Sequence, residues 1–186
     1  TKLRQLDFDT TTSYSKYGLA YTGAMRVYSQ YLDDKYMIPH LREQYGAYGA
    51  QSYFSKSGLF KLITYKDPNL KKSFQLFSQI PEFMEKSEIK TKGDIIPSIL
   101  GSLKPYYSDK SVVGKSNMMT GLYLSDQTWA DYIQIKKEII ETTPEKFKEI
   151  TKVLKKAIPE GIKSAAGNKK KIKDEGQFLK SLMSFD

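Results

Sequence analysis

The chain has 186 residues, 39% hydrophobic and 27% charged, an ordinary makeup for a globular protein able to bury a core. Zero cysteines exclude disulfides, thiolate metal ligands and a cysteine nucleophile, and they favour a reducing intracellular compartment, a bacterial cytoplasm or an organelle matrix. No window approaches the roughly eighteen consecutive apolar residues of a membrane span, while the formal charge of +9 raises nucleic acid as a partner.

The chain opens "TKLRQLDFDT", without Met or an apolar leader, so it is expected to be a mature form, a trimmed form or a piece of something longer. Residues 5–14 alternate and are rich in Thr and aromatics, which predicts a strand. Over 18–34, Leu19, Met25, Val27, Tyr28, Tyr31 and Leu32 recur at near-helical spacing. A second short helix is expected over 35–44, with Pro39 near its first turn or kinking it. The period then changes. Residues 47–54 and 58–65 read as two strands joined by a hairpin turn at "SKSG". Asp67 and Pro68 look like the N-cap and first residue of a helix carrying Leu70, Phe74, Phe77, Phe83 and Met84, with Pro81 a kink.

Beyond Lys86 the pattern is mostly helical. Gly93 and Pro97 interrupt 88–104, and 105–117 reads as a connection. One helix is expected from Asp126 and another from Thr143-Pro144, with Thr142 and Glu145 at capping-box spacing. Residues 160–168 suggest a last strand, and 175–185 a closing helical turn or two. Much of the positive charge lies after Thr143, where eleven lysines face six acids. In "TPEKFKEITKVLKKAI" these lysines fill the polar positions between Phe147, Ile150, Val153, Leu154 and Ile158, the wet face of an amphipathic helix. "GNKKKIK" is a basic turn with no aromatic to stack a base, so nucleic acid is not the expected partner. No repeat and no Gly/Ser-rich linker divides the chain. Residues 1–186 are therefore read as one α+β domain, an antiparallel sheet of about four or more strands covered by several helices.

Much familiar chemistry is missing. His40 is the only histidine, so neither a catalytic triad nor a two-histidine zinc motif can be completed. There is no phosphate-binding or dinucleotide glycine motif. The acid pairs in "DDK" (33–35) and "DEG" (174–176) lack metal-loop spacing and read as solvated. His40 reads as structural or surface, Trp129 as core, and Tyr17, Tyr21, Tyr28, Tyr31 and Tyr36 as half-buried packing.

What remains is "LREQYGAYGAQSYF" at 41–54. Arg42 ends a helical stretch and Tyr48 begins a strand, with Gly46 allowing a tight turn between them. Both side chains are hydrogen-bond donors near neutral pH, and two convergent donors suit a peptide carbonyl oxygen becoming an oxyanion. A buried tyrosine beside a surface arginine fits the same residues.

"REQYGAYGAQ", a hairpin and then "TYKDPNLKKSFQLF" resemble the C-terminal domain of insulinase-type (pitrilysin superfamily) zinc metallopeptidases, in the presequence-protease and falcilysin branch. There the stretch usually reads Arg-x-Lys-Gly-Gly-Ala-Tyr-Gly, then a hairpin, then Ser-Tyr-Arg-Asp-Pro-Asn. The likeness extends through "GLAYTGAMRVYSQYL" and "LYLSDQTWADYIQIKKEIIETTPEKFKEI", from about residue 3 to 175. Gln44, Tyr45 and Lys66 depart from the pattern, and Tyr45 at a usual glycine bears on the aim of Arg42.

The resemblance implies a C-terminal domain that positions peptide substrates and closes a chamber, catalytically incomplete alone. It implies that Arg42 and Tyr48 contact the substrate carbonyl or transition state. Zinc would be bound by a domain absent from this chain, with N-terminal zinc-bearing domains of the same polypeptide as partners, or a separate zinc-bearing chain. The alternative is a stand-alone non-catalytic subunit, scaffold or binding module of the same fold.

Overall fold

The structure, a computed structural model, describes residues 6–107, 111–177 and 179–181. Among them the sheet has the order β2-β3-β1-β4, from β1 (Leu6–Ser13), β2 (Gly49–Phe54), β3 (Leu59–Asp67) and β4 (Ile162–Gly167), all neighbours antiparallel. Tyr53 stands opposite Lys61, and Phe54 opposite Phe60. The hairpin closes at Gly58, whose φ of 86° suits a residue without Cβ. Its carbonyl accepts the Tyr14 N–H at 2.9 Å, which ties the turn to the end of β1.

Alternation along the strands makes the sheet two-faced. Ser52, Phe54, Phe60, Leu62, Thr64, Thr10 and Thr12 are buried, whereas Gln51, Tyr53 and Tyr65 are exposed. The buried face is covered by α1 (Gly23–Leu32) and α2 (Leu70–Lys86), with α6 (Pro144–Ala157) packed against both helices. Tyr28 shows how the layers join: fully buried, its ring meets Phe54 at 6.0 Å and Phe147 at 5.2 Å, and its hydroxyl is 3.2 Å from Thr151 Oγ1. Phe147, Ile150 and Leu154 of α6 point inward and its lysines point out, as the sequence pattern requires. The remaining helices are α3 (Ile96–Tyr107), α4 (Val112–Leu124), α5 (Trp129–Ile140) and α7 (Lys169–Glu175). This is the expected α+β architecture. No helix among the described residues is long and apolar enough to cross a membrane.

Several local expectations change. The two helices read over 18–34 and 35–44 are one path, because α1 runs directly into a π-helical segment, Asp33–Gln44, with Pro39 inside it. A proline removes one helical hydrogen bond and crowds the preceding turn, and wider π spacing is where helices absorb such a change. α1 starts at Gly23, not near Gly18. Its first N–H donates to Glu138 Oε2 of α5 at 2.7 Å, and a Cβ on Gly23 would lie 2.5 Å from the Ile135 carbonyl oxygen.

α2 starts at Leu70 with Asn69 as N-cap, so Asp67 and Pro68 precede the helix. The 105–117 connection is mostly helix: α3 continues through Tyr107, and α4 starts after Ser111, whose Oγ accepts from Gly114 N at 3.1 Å. α5 starts after Thr128, which forms a capping box with Asp131; Asp126 lies earlier in a turn with φ 51°. Thr142 forms no box with Glu145 and donates instead to the Glu138 carbonyl at 2.9 Å. "KKKIKDE" is α7 rather than a turn. Of the closing turns expected over 175–185, residues 178 and 182–185 lie outside the described residues.

Tyr28 and Tyr36 are fully buried rather than half-buried, and Trp129 is 52% exposed, stacked on Tyr132 at 4.9 Å. Both tyrosines reach partners for their hydroxyls inside the core, Thr151 and the Leu76 carbonyl (2.8 Å), which removes the cost of burying a phenol.

Candidate functional site

The stretch 41–48 is built as a helix end followed by a strand start. Leu41 is fully buried and anchors the last turn of the π-helical segment. Arg42 follows on the exposed side, and among the described residues its guanidinium has no hydrogen-bond or ion-pair partner. Gly46 takes φ 79°, the left-handed conformation that ends many helices.

Four successive N–H groups are then satisfied by backbone. Tyr45 donates to His40 at 3.1 Å, Gly46 to Arg42 at 3.0 Å, Ala47 to Leu41 at 2.9 Å and Tyr48 to Tyr65 at 3.1 Å. The last of these joins the turn to β3. Ala47 is buried, so the turn is held from beneath as well.

The "DPN" stretch supplies a second hold. Asp67 is fully buried at the end of β3; its Oδ1 accepts from Asn69 N at 2.8 Å and its Oδ2 from Ser73 Oγ at 2.6 Å. Burial pushes its carboxyl above the ordinary range, and these hydrogen bonds oppose the rise. Asn69, fixed this way, donates through Nδ2 to the Tyr45 carbonyl at 2.6 Å. The two halves of the motif are thus one device: the first presents side chains and the second clamps the backbone that carries them.

Tyr48 is 67% exposed. Its ring meets Tyr65 edge-on at 6.0 Å, and Lys66 Nζ lies 5.4 Å from the centroids of both rings. Lys66, at φ 50°, lies within β3 where the pairing with β1 shifts register, and its ammonium sits beside the tyrosine pair. Sequence reasoning missed Tyr65 and Lys66. The signal available was the strand pairing that sets Gly49 opposite Tyr65. Tyr45, at a usual glycine position, has φ −109°, which any residue adopts; Gly46 takes the positive φ instead. Its half-buried ring packs on the core with Lys72 Nζ 5.2 Å from its centroid. The departure therefore leaves the backbone of the turn intact. Among the described residues no hydrogen bond links Arg42 to Tyr48; Arg42 is exposed, and the Tyr48 ring rests against Tyr65 and Lys66.

His40 belongs to the packing. Its Nδ1 donates to the Tyr36 carbonyl at 2.9 Å, since a carbonyl can only accept, and its ring lies 4.5 Å from Tyr36 and 6.5 Å from Phe83. Among the described residues no three His, Asp or Glu side chains gather into a metal site. A zinc ion needs three or four such ligands, and this donor set does not fit one.

A family model described as the PreP C-terminal domain matches residues 9–166. Protein HypA of Clostridium perfringens is 27% identical over 172 residues, covering 92% of this chain and 18% of that protein. The mitochondrial presequence protease of Drosophila melanogaster is 25% identical over 120 residues, 64% of this chain and 11% of that protein. The chain thus spans less than a fifth of the length of these curated relatives. Among solved structures, a peptidase M16 inactive domain from Pseudomonas fluorescens superposes with a TM-score of 0.61 at 11% identity. That overlap covers 90% of this chain and 41% of the other, and it shows a shared fold.

Proposed function

Because this chain belongs to the PreP C-terminal domain family, we propose that it is the C-terminal domain of a larger zinc metalloendopeptidase and holds the backbone of bound peptides with Arg42 and Tyr48. The observation that carries this reading is Tyr48, an exposed phenol on a turn whose backbone is hydrogen-bonded at every step from 45 to 48. A side chain held for packing would be buried; this one is aimed outward from a rigid support.

The phenol hydroxyl donates to the carbonyl oxygen of the scissile peptide and binds it more strongly as negative charge develops there. The guanidinium anchors a neighbouring carbonyl and helps hold the substrate chamber closed. Zinc and the water it activates belong to N-terminal domains of the same polypeptide. The substrates are peptides short enough to enter the chamber.

The test uses the full-length gene product and a quenched fluorescent peptide. Tyr48→Phe is expected to lower turnover about 10- to 1000-fold with little change in KM, the scale of a lost oxyanion donor. Arg42→Ala is expected to raise KM more than it lowers turnover. Unchanged kinetics in both variants would remove the positioning role and favour a scaffold of the same fold.

A further inference from the structure

The Tyr65 ring and the Lys66 ammonium meet on the open face of the sheet, although neighbouring residues of a regular strand point to opposite faces. The pairing of β1 with β3 explains how. Leu6 stands opposite Asp67 but Phe8 opposite Thr64, so two residues of β3, Tyr65 and Lys66, face a single residue of β1. A bulge of this kind re-aims a side chain. In unbroken alternation Lys66 would point with Leu62 and Thr64 into the core. Lys66 also takes φ 50°, a left-handed conformation that crowds the Cβ of any residue but glycine. Bulge and strain together leave its ammonium 5.4 Å from the ring centroids of both Tyr48 and Tyr65.

The surface around Tyr48 carries an excess of positive charge. From residue 42 to residue 72, Arg42, Lys56, Lys61, Lys66, Lys71 and Lys72 stand against two acids, Glu43 and Asp67. Asp67 is buried, and its oxygens accept from Asn69 N and Ser73 Oγ. Farther along the hairpin the same pairing of lysine with tyrosine recurs, with Lys61 Nζ 6.0 Å from the ring centroid of Tyr53, its neighbour across the strands. On β1, Asp9 accepts from Ser164 Oγ.

We propose that Lys66, held beside Tyr48 and Tyr65, sets the specificity of the Arg42–Tyr48 site and selects peptides with a glutamate or aspartate within two residues of the carbonyl that Tyr48 holds. This rests on the reading of Tyr48 as a substrate contact. Two residues of an extended peptide span about 7 Å, enough to pass from the Tyr48 ring to the ammonium beside it. There the acidic side chain meets an ammonium with three N–H donors and forms a charge-assisted hydrogen bond. Tyr65, 47% exposed, offers its ring to the methylene groups of the same side chain. A lysine or arginine at that place in the peptide meets like charge and is disfavoured.

The test compares two quenched fluorescent peptides that differ only in carrying Glu or Gln at the residues flanking the cleaved bond, hydrolysed by the full-length gene product. The parent is expected to give the Glu peptide a kcat/KM at least about fivefold higher, mainly through KM, with the ratio falling as salt rises. Lys66→Met should bring the two peptides to the same kcat/KM, and Lys66→Arg should keep the preference. Lys66→Gly suits the positive φ and also removes the ammonium, so it serves the same comparison where the Met variant fails to fold. Equal kcat/KM for the two peptides in the parent, or a Glu preference that survives loss of the ammonium, would overturn this inference and leave Tyr48 in its role. No hydrolysis, or kinetics unmoved by Tyr48→Phe, would remove both.

Discussion

The turn at 45–48 and the helix α4 both put large side chains into solvent, by opposite routes. At the turn every backbone donor is paired and the residue beneath is buried, while the side chains of Arg42 and Tyr48 are exposed. In α4 the backbone is satisfied by its own helix, but no side chain reaches a core: Val112 is 85% exposed and Leu124 77%. A fixed support under two exposed polar groups is what a site that handles a substrate requires. An apolar helix with no buried face is a contiguous patch of the kind that water-exposed surfaces rarely keep.

The two regions should respond differently to substitution. The largest effect is expected for Asp67→Ala, which leaves Asn69 N and Ser73 Oγ without their acceptor and releases the clamp on Tyr45; urea denaturation should show a loss of about 3 kcal/mol. The full-length variant should also lose turnover although Asp67 is buried beneath the turn. Parent-like stability would break the contrast with α4.

Asp33→Asn should move stability the other way. Burial lifts the folded carboxyl to about 7 against an ordinary value of 3.8, so between those pH values the folded state holds more protons than the unfolded state. Stability contributed by the protonated form is therefore lost as pH rises from about 4 to 7. The amide cannot ionise, so the variant should lack this pH dependence and exceed the parent at pH 8 by roughly 1–3 kcal/mol. Thermal or urea unfolding across that range checks the sign.

Gly46→Ala forces a Cβ into a left-handed residue and should cost about 1 kcal/mol, with a loss of turnover beyond that of an equally destabilising change elsewhere. At the bottom of the scale, Leu124→Ser should shift stability by no more than about 0.5 kcal/mol, because the side chain it removes has no core to leave. A larger loss would mean that α4 packs more firmly than its exposure shows.

The same contrast explains what was legible in the sequence. The sheet could be read because Phe60, Leu62 and Thr64 alternate with residues on the open face, and α6 because its apolar positions keep helical spacing. α4 could not, since "VVGKSNMMTGLYL" has no apolar stripe and its Val and Gly residues are poor helix formers. The start of α1 at Gly23 depends on Glu138, 115 residues away, and no local pattern encodes such a cap. The motif gave Arg42 and Tyr48 but not Lys66, which reaches the Tyr48 ring only once the strands pair. Nor could spacing show that Asp67 and Asn69 hold the turn as well as leading into α2, because both roles suit the same residue types.

The most direct measurement is a double-mutant cycle on kcat/KM for peptide hydrolysis by the full-length gene product, with Arg42→Ala, Tyr48→Phe and the pair. Two donors fixed on one turn and acting on one stretch of substrate backbone should be coupled, with the double variant departing from additivity by about 0.5 kcal/mol or more. Additive effects, or no effect of either change, would contradict the account.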